Sequence, residues 1–211
     1  MSSRLLVFGA SGGTGRELVS QGLDRGLCVT AFVREPTRLA VRHANLRIVQ
    51  GDVGERSSLD EAVAGQDVVI SALGTGRALR HDPAVVQGIR NIIQVMHDHG
   101  VSRFIYLSFI GVAESRKEAG WMLRYVARWP LRNEIADHEA KEGLVRASRL
   151  DWTIVRAPKL TNGPYTGTYR VGECIAARSA LPALSRADVA DFMLSQIVDT
   201  NYVGRTPRLL P

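Results

Sequence analysis

A glycine-rich loop, Gly9-Ala10-Ser11-Gly12-Gly13-Thr14-Gly15, restricts what this chain can fold into more than any other feature. It directly follows Leu5-Leu6-Val7-Phe8, a continuous apolar run of the kind that forms a buried parallel strand. A helical pattern runs from about Gly12 to Arg25 and stops before Gly26. Such a turn lets the backbone approach a pyrophosphate, and the helix N-terminus supplies N–H groups and a positive dipole end. The loop therefore predicts a dinucleotide site, although its G-x-x-G-x-x-G spacing is not the common one, and a glycine turn without a ligand is the alternative.

Apolar runs and helical patterns alternate along the rest of the chain. Strands are expected at Cys28–Val33, Leu46–Gln50, Asp67–Ser71, Arg103–Leu107 and Trp152–Arg156. A helix with a capping box of Ser58 and Glu61 is expected between Gly51 and Gly65, and a second helix from an Asp82 cap to Gly100. Two more helices are expected, one over about Leu131–Ser148 and one after a cap of Ser185 with Asp188. This alternation predicts an α/β fold, a single-domain Rossmann-type doubly wound parallel sheet over residues 1–211. Segments at about 109–130 and 160–185 would cover the substrate.

The overall composition restricts the class of protein further. Of 211 residues, 45% are hydrophobic, and no apolar run approaches the ~18 residues needed to cross a bilayer. The formal net charge of +6 is not concentrated in a basic tail, which favours a solvated surface and an anionic ligand over nucleic acid. Cys28 and Cys174 are expected to be free thiols, and the histidines form no metal site. We therefore expect a cytoplasmic protein, a monomer or weak homodimer, that binds neither a membrane nor nucleic acid.

The residues after the second strand distinguish between the two nicotinamide cofactors. NAD-specific proteins place an acid about twenty residues past the glycine loop to bind the ribose hydroxyls. Here Arg34 comes first, Glu35 follows it, and Arg38 stands four residues after Arg34. A guanidinium suits a 2′-phosphate through charge-assisted hydrogen bonds, which favours NADP as the cofactor. In the alternative, Arg34 is a surface residue and Glu35 binds the ribose.

Two more strand ends border the expected cofactor site. Asp52 follows the third strand, at a position that reaches the adenine in this architecture. Leu73-Gly74 ends the fourth strand, where small residues let the backbone lie beside the nicotinamide half. A helix-capping aspartate and a turn glycine would give the same sequence, so the structural alternative stays open at both positions.

Together these motifs resemble the atypical short-chain dehydrogenases/reductases over nearly the whole chain. The segments that carry the resemblance are Gly9–Gly15, Val33-Arg34 with Arg38-Leu39, Gly51–Val53, Ala64–Ile70, Leu73–Thr75, Gly100-Val101, Leu107-Ser108 and Ser185–Leu194. The stretch Asn162–Tyr169 and the Ser185 helix are similar to the branch of NADPH-dependent flavin reductases, also called biliverdin IXβ reductases, and its bacterial NAD(P)H-binding relatives.

This resemblance implies a role for each candidate site residue. Arg34 and Arg38 would bind the 2′-phosphate, and Asp52 with Val53 would flank the adenine. The residues implied to border the nicotinamide and the substrate are Leu73, Gly74 and Ser108, and those implied to hold the pyrophosphate are Gly9, Ser11, Gly12, Gly13, Thr14 and Gly15.

The chain departs from the main short-chain dehydrogenase branch at the catalytic pair. That branch uses Tyr-x-x-x-Lys on the helix before the sixth strand, and Glu134 and His138 occupy those positions here. The flavin reductases resemble this chain in having a histidine at the position of His138, with a second histidine where this chain has Lys159. A carbonyl substrate needs a strong proton donor, whereas hydride transfer to a flavin does not. Ser108 and His138 are the catalytic candidates, and neither is expected to be an indispensable proton donor.

The substrate side points to a flat aromatic molecule. Aromatic and basic side chains crowd one segment, at Phe109, Trp121, Tyr125, Trp129, Arg116, Lys117, Arg124, Arg128 and Arg132. They could bind a flat anionic heterocycle, or they could belong to an amphipathic helix that packs on the core; Tyr165 and Tyr169 leave the same two alternatives. We expect an NADPH-dependent reductase of a flavin, tetrapyrrole or quinone. The alternative is a non-catalytic NADP(H)-sensing regulator, and the missing Tyr-Lys pair disfavours a sugar epimerase or dehydratase.

Overall fold

The computed structural model describes residues 3–74, 83–112 and 132–211, and for residues 132–134 it describes the backbone only. The strands in these ranges are β1 Arg4–Phe8, β2 Cys28–Val33, β3 Leu46–Gln50, β4 Val68–Ser71, β5 Arg103–Phe109, β6 Asp151–Ala157, β7 Lys159–Thr161, β8 Arg170–Gly172, β9 Ala183–Ser185 and β10 Arg208–Leu210. Eight of them form one sheet in the order β3-β2-β1-β4-β5-β6-β10-β8, and β7 pairs with β9 beside it.

The order of the first six strands is that of a Rossmann fold, which confirms the predicted fold class. β1 lies parallel to β2 on one side and to β4 on the other, so the strand order reverses between β1 and β4. Ligands of open α/β sheets bind outside the carboxyl ends of the strands at such a reversal. Gly9 follows β1 and Leu73 follows β4, so both predicted segments border this point. β8 runs antiparallel to β10, so the sheet is mostly rather than wholly parallel.

Helices cover both faces of the sheet. They are α1 Gly13–Asp24, α2 Ser57–Val63, α3 Pro83–Asp98, α4 Arg132–Ala147 and α5 Arg186–Ser195, with a 3₁₀ turn at Pro36–Arg38. On β1, Leu5 and Val7 are buried in one core with α1 and α5, whereas Leu6 and Phe8 are buried with α2 and α3 in a second core. Successive side chains of a strand point to opposite faces, and here both faces are covered. This is why β1 is apolar at consecutive positions.

The predicted capping box of Ser58 and Glu61 is wrong. α2 begins at Ser57, so Ser58 lies inside the first turn instead of preceding it. Its hydroxyl donates to the backbone carbonyls of Asp52 and Glu55, at 2.7 and 2.8 Å. The serine therefore fastens the loop before α2 and does not cap the helix.

The C-terminal part of the chain contains short strands that the sequence analysis missed. β7, β8, β9 and β10 have three residues each, too few for an alternating pattern to be recognised. Three of them lie at the two ends and near the middle of the predicted covering segment at 160–185, where they pair with β9, β10 and β7. Residues 113–130 of the other predicted covering segment lie outside the described residues, as does the predicted Asp82 cap. No helix within the described ranges is long and apolar enough to cross a membrane.

Candidate functional site

The glycine-rich loop is shaped by backbone contacts that leave no room for a side chain at Gly9 or Gly15. A Cβ on Gly15 would lie 2.0 Å from the carbonyl oxygen of Gly9. A Cβ on Gly9, where φ is +77°, would lie 2.7 Å from the carbonyl oxygen of Ala72. Gly12 precedes α1 without a side-chain cap, and the first turn of α1 carries no acidic residue. The loop therefore forms a backbone cradle at an uncapped helix N-terminus, which fits the pyrophosphate of a dinucleotide.

The two arginines predicted to bind a 2′-phosphate lie together after β2. Arg34 directly follows the strand, Arg38 ends the 3₁₀ turn, and both residues are exposed. The Arg38 Nε atom lies 3.6 Å from Glu35 Oε2, so Glu35 offsets part of the positive charge. Two guanidinium groups and one carboxylate leave this strand end positive, which suits a phosphate better than a ribose hydroxyl.

The segment after β3 is fixed by Asn91 of α3. The Asn91 amide donates to the carbonyl oxygens of Val53 and Gly54, at 2.9 and 3.1 Å. Asp52 is exposed, and its carboxylate accepts the backbone N–H of Gly54 at 2.8 Å, as in an Asx turn. Asp52 and Val53 therefore lie at the same carboxyl edge of the sheet as the glycine loop, and Asp52 has a structural role there.

A cavity of about 440 Å³ lies over the carboxyl ends of β4, β5 and β6. It brings together a subset of the predicted site residues: Gly12, Gly13, Thr14, Leu73, Gly74, Ser108 and His138. Lys159 and Arg186 also line it, and no carboxylate belongs to the described part of its wall. Tyr165 and Tyr169 are not among the residues that line it. Tyr165 is 57% exposed, and the side chain of Tyr169 packs against Phe192.

Ser108 lies in the cavity wall, within β5 and not just past it as predicted. Its hydroxyl donates to Glu142 Oε1 at 2.6 Å, and its Oγ atom lies 3.5 Å from His138 Nδ1. Glu142 follows His138 by four residues, so both side chains lie on one face of α4. Because the serine proton points to the carboxylate, Ser108 offers its lone pairs to a ligand in the cavity.

Glu142 is paired with Arg156 of β6, an interaction that the sequence analysis missed. Arg156 Nε donates to Glu142 Oε1 at 3.0 Å, and Nη2 donates to Oε2 at 2.7 Å. The arginine side chain is 0% exposed and that of the glutamate 3%. A buried charge requires a hydrogen-bonded partner of opposite sign. The signal present in the sequence was a charged residue between Val155 and Ala157, in the apolar second half of the strand.

The imidazole of His138 is neutral near pH 7. Burial disfavours the charged form and the ammonium of Lys141 adds to this effect, so the pKa of His138 falls to about 3 although Asp137 acts in the opposite direction. The ring of Phe109 lies beside it, with 6.3 Å between the centroids. A histidine in this state can orient a ligand by hydrogen bonding but carries no imidazolium proton to donate. The side chain of Glu134 lies outside the described residues.

Asp188 ties the loop after β7 to the start of α5. Ser185 caps α5 as predicted, since its hydroxyl accepts the backbone N–H of Asp188 at 3.0 Å. The Asp188 carboxylate also accepts the backbone N–H groups of Thr166 and Gly167, at 2.8 and 2.9 Å, a role the sequence analysis did not anticipate. Burial opposes ionisation of Asp188, but the hydrogen bonds from Thr166, Ser185 and Gly167 outweigh it and hold its pKa below the usual value. One buried carboxylate thus fixes the loop.

Comparison with known proteins agrees with this geometry. The profile of the NAD(P)H-binding family matches residues 9–200. The (4-alkanoyl-5-oxo-2,5-dihydrofuran-3-yl)methyl phosphate reductase of Streptomyces griseus is 28% identical over 206 residues, which cover 95% of this chain and 65% of that enzyme. A protein of Bacillus subtilis named as an uncharacterized sugar epimerase is 27% identical over 210 residues, 96% of this chain and 91% of that protein. The chain thus spans slightly less than two thirds of the Streptomyces enzyme.

A solved structure provides a match of similar extent. An anaerobillin reductase of Escherichia coli O157:H7 superposes with a TM-score of 0.78, covering 98% of this chain and 96% of that chain at 21% identity. At this level of identity the match shows a common fold. Together with the strand order, it confirms the predicted single-domain Rossmann-type architecture.

Proposed function

This chain belongs to the NAD(P)H-binding family, and from that premise we propose that it is an NADPH-dependent reductase of flat electron acceptors. The acceptor would be a flavin, a linear tetrapyrrole or a quinone. The cofactor phosphates would lie on the glycine loop, the adenosine at the ends of β2 and β3, and the reacting rings in the cavity beside Ser108 and His138.

The cofactor, when bound, supplies the hydride. The preference for NADPH is supported by Arg34 and Arg38, because the exposed positive charge after β2 suits a 2′-phosphate. Glu35 would then serve to orient Arg38 and not to bind the ribose. The backbone cradle of Gly9 and Gly15 serves NADH and NADPH equally, so discrimination would depend on the arginines.

The observation that carries the proposal is that neither of the two catalytic candidates in the described cavity wall, Ser108 and His138, has an acidic proton to donate. Ser108 directs its hydroxyl proton to Glu142, and the lowered pKa of His138 keeps the imidazole neutral. Reduction of a carbonyl to an alcohol requires an acid near the developing alkoxide. Reduction of a flavin or tetrapyrrole does not, because the negative charge spreads over the conjugated ring and solvent completes the protonation. Ser108 and His138 therefore favour an acceptor that needs only hydride.

Ser108 and His138 would position the reactants. The lone pairs of Ser108 can accept a hydrogen bond from the nicotinamide carboxamide or from an N–H group of the acceptor. Alignment of two bound rings is itself a large part of catalysis, since it replaces an encounter in solution. Lys159 supplies a positive charge without a carboxylate in the described wall, which favours an acceptor bearing a phosphate or carboxylates.

The names of the relatives support a reductase more than an epimerase. The Streptomyces relative and the Escherichia structure are both named as reductases. The name of the Bacillus relative raises sugar epimerisation as a second function. That chemistry is disfavoured here because Glu134 and His138 stand where the Tyr-Lys pair would be.

The proposed function is tested by following the absorbance of NADPH with a panel of acceptors. Purified protein is mixed with NADPH and, in turn, FMN, riboflavin, biliverdin and a quinone. We expect turnover above the protein-free rate with at least one of them. Arg47→Ala, which changes an exposed arginine paired with Glu61 outside the cavity, should match the wild type. No turnover with any acceptor, while NADPH still binds, would refute the reductase and favour an NADP(H)-sensing regulator.

A further inference from the structure

Arg186, the first residue of α5, reaches across to the glycine-rich loop. A Cβ on Gly13 would lie 2.5 Å from Arg186 Nε and 2.6 Å from its Cδ atom. The arginine side chain therefore lies directly over the first residue of α1, in the wall of the same cavity as Gly12 and Thr14. Any larger side chain at Gly13 would therefore displace the arginine from this position.

This position is electrostatically unfavourable for a cation unless an anion is present. The N-terminus of a helix carries a partial positive charge, and Arg186 lies at the N-termini of both α1 and α5. Its guanidinium donates to the neutral amide oxygen of Asn162 at 2.6 Å, and no carboxylate pairs with it in the described parts of the chain. The nearby carboxylate of Asp188 is occupied by Thr166, Gly167 and Ser185. A positive charge in this place fits an anionic ligand better than a purely structural role.

We propose that Arg186 is a binding residue for the pyrophosphate that NADH and NADPH share, with Asn162 as its positioning residue. The start of α1 is where the phosphates of a dinucleotide bind in this architecture, and the planar guanidinium matches phosphate oxygens through two parallel hydrogen bonds. Asn162 follows β7, so its amide holds the guanidinium from the loop after β7. The cofactor would then connect α1 with α5 and with the loop after β7. This inference depends on NAD(P)H binding and not on the proposed reductase activity.

The proposal separates Arg186 from Arg34 by the part of the cofactor that each contacts. Binding is measured by isothermal titration calorimetry with NADPH, NADH, ADP-ribose and adenosine 2′-monophosphate. Arg186→Gln should weaken binding of NADPH, NADH and ADP-ribose alike, by about 10- to 100-fold, as expected for the loss of a charge-assisted hydrogen bond. It should leave adenosine 2′-monophosphate unchanged, because that ligand has no pyrophosphate. Arg34→Gln should give the opposite pattern, with losses for NADPH and adenosine 2′-monophosphate only.

Two further variants control for the fold and for general charge. Arg205→Gln removes an exposed arginine paired with Glu173 and should leave all four affinities unchanged. Asn162→Ala keeps the guanidinium of Arg186 but removes the hydrogen bond that holds it in place. It should therefore weaken ADP-ribose binding by less than Arg186→Gln does. This variant tests the proposal even if Arg186→Gln does not fold, which circular dichroism would reveal.

The outcomes that overturn the proposal are distinct. Wild-type affinity for ADP-ribose in folded Arg186→Gln would show that the arginine does not contact the pyrophosphate. A raised KM for an acceptor with unchanged dinucleotide affinity would assign Arg186 to the acceptor instead. Unchanged binding in Asn162→Ala would refute the positioning role of the amide. The binding measurements do not depend on whether a flavin is reduced, so the failure of the proposed function would be recognised separately.

Discussion

Removing the negative charge of Glu142 should destabilise the protein by about 3–5 kcal/mol, because it breaks a buried ion pair by neutralising one of the two partners. The substitution Glu142→Gln preserves the size of the side chain and one acceptor oxygen. Arg156 would still be fully buried, with its Nε and Nη2 atoms facing the altered group from 3.0 and 2.7 Å. Ser108 would lose its charged acceptor at the same time.

This loss is large on the scale of protein stability. Domains have total free energies of unfolding of about 5–15 kcal/mol, so the variant would lose about a fifth or more of that of a typical domain. For a chain of this size, each kcal/mol lowers the Tm by about 2–4 °C, which predicts a decrease of about 6–20 °C. Urea denaturation at pH 7, followed by circular dichroism, measures the free energy, and a thermal scan measures the Tm.

Two comparisons isolate the effect of burial. Glu173→Gln removes the carboxylate of an exposed ion pair, in which Arg205 Nη1 lies 3.0 Å from Glu173 Oε2 and the side chains of Arg205 and Glu173 are 58% and 39% exposed. This variant should cost less than about 1 kcal/mol of stability. The double variant Glu142→Met with Arg156→Met should recover much of the loss, since it removes both buried charges. If Glu142→Gln costs no more than Glu173→Gln, or if the double variant is less stable than the single one, the explanation by the loss of a buried ion pair is wrong.

Three other variants test separate parts of the site. Arg34→Ala should weaken NADPH binding by about 10- to 100-fold and leave NADH binding unchanged in calorimetric titrations, and equal losses for both would exclude a 2′-phosphate contact. The folded-state pKa of His138, about 3, lies below its ordinary 6.5, so the free energy of unfolding falls by up to about 1.4 kcal/mol per pH unit as the pH drops through that interval. Urea denaturation at pH 4.5 and 7.5 should show a smaller difference in free energy of unfolding for His138→Gln than for the wild type, and an equal difference in both proteins would contradict the lowered pKa. The variant should also retain most of any flavin reduction. Asp188→Asn should cost about 1–3 kcal/mol and speed hydrogen exchange at the amides of Thr166 and Gly167, and unchanged protection there would contradict the role of the carboxylate.

Features that depend on neighbouring residues could be predicted from the sequence alone. β2 lies at its predicted bounds, Cys28–Val33, because a strand covered on both faces is a continuous apolar run. The glycine loop was recognisable because its strand, turn and helix follow one another in the chain. The cap of α5 was recognisable because Ser185 and Asp188 are three residues apart. Even so, a shift of two residues at the start of α2 was enough to make the predicted Ser58 cap wrong.

The chemistry of the cavity was decided only by the tertiary structure. Ser108 meets Glu142 across 34 residues, and Glu142 meets Arg156 across 14 more, from three different elements. The proton of Ser108 and the charge state of His138 depend on these contacts and on burial, which no local pattern contains. Arg186 likewise lies over Gly13 only because α5 packs against α1. The physical reason is that periodicity and turn chemistry act between chain neighbours, whereas hydrogen bonds and desolvation depend on distances that exist only in the folded protein.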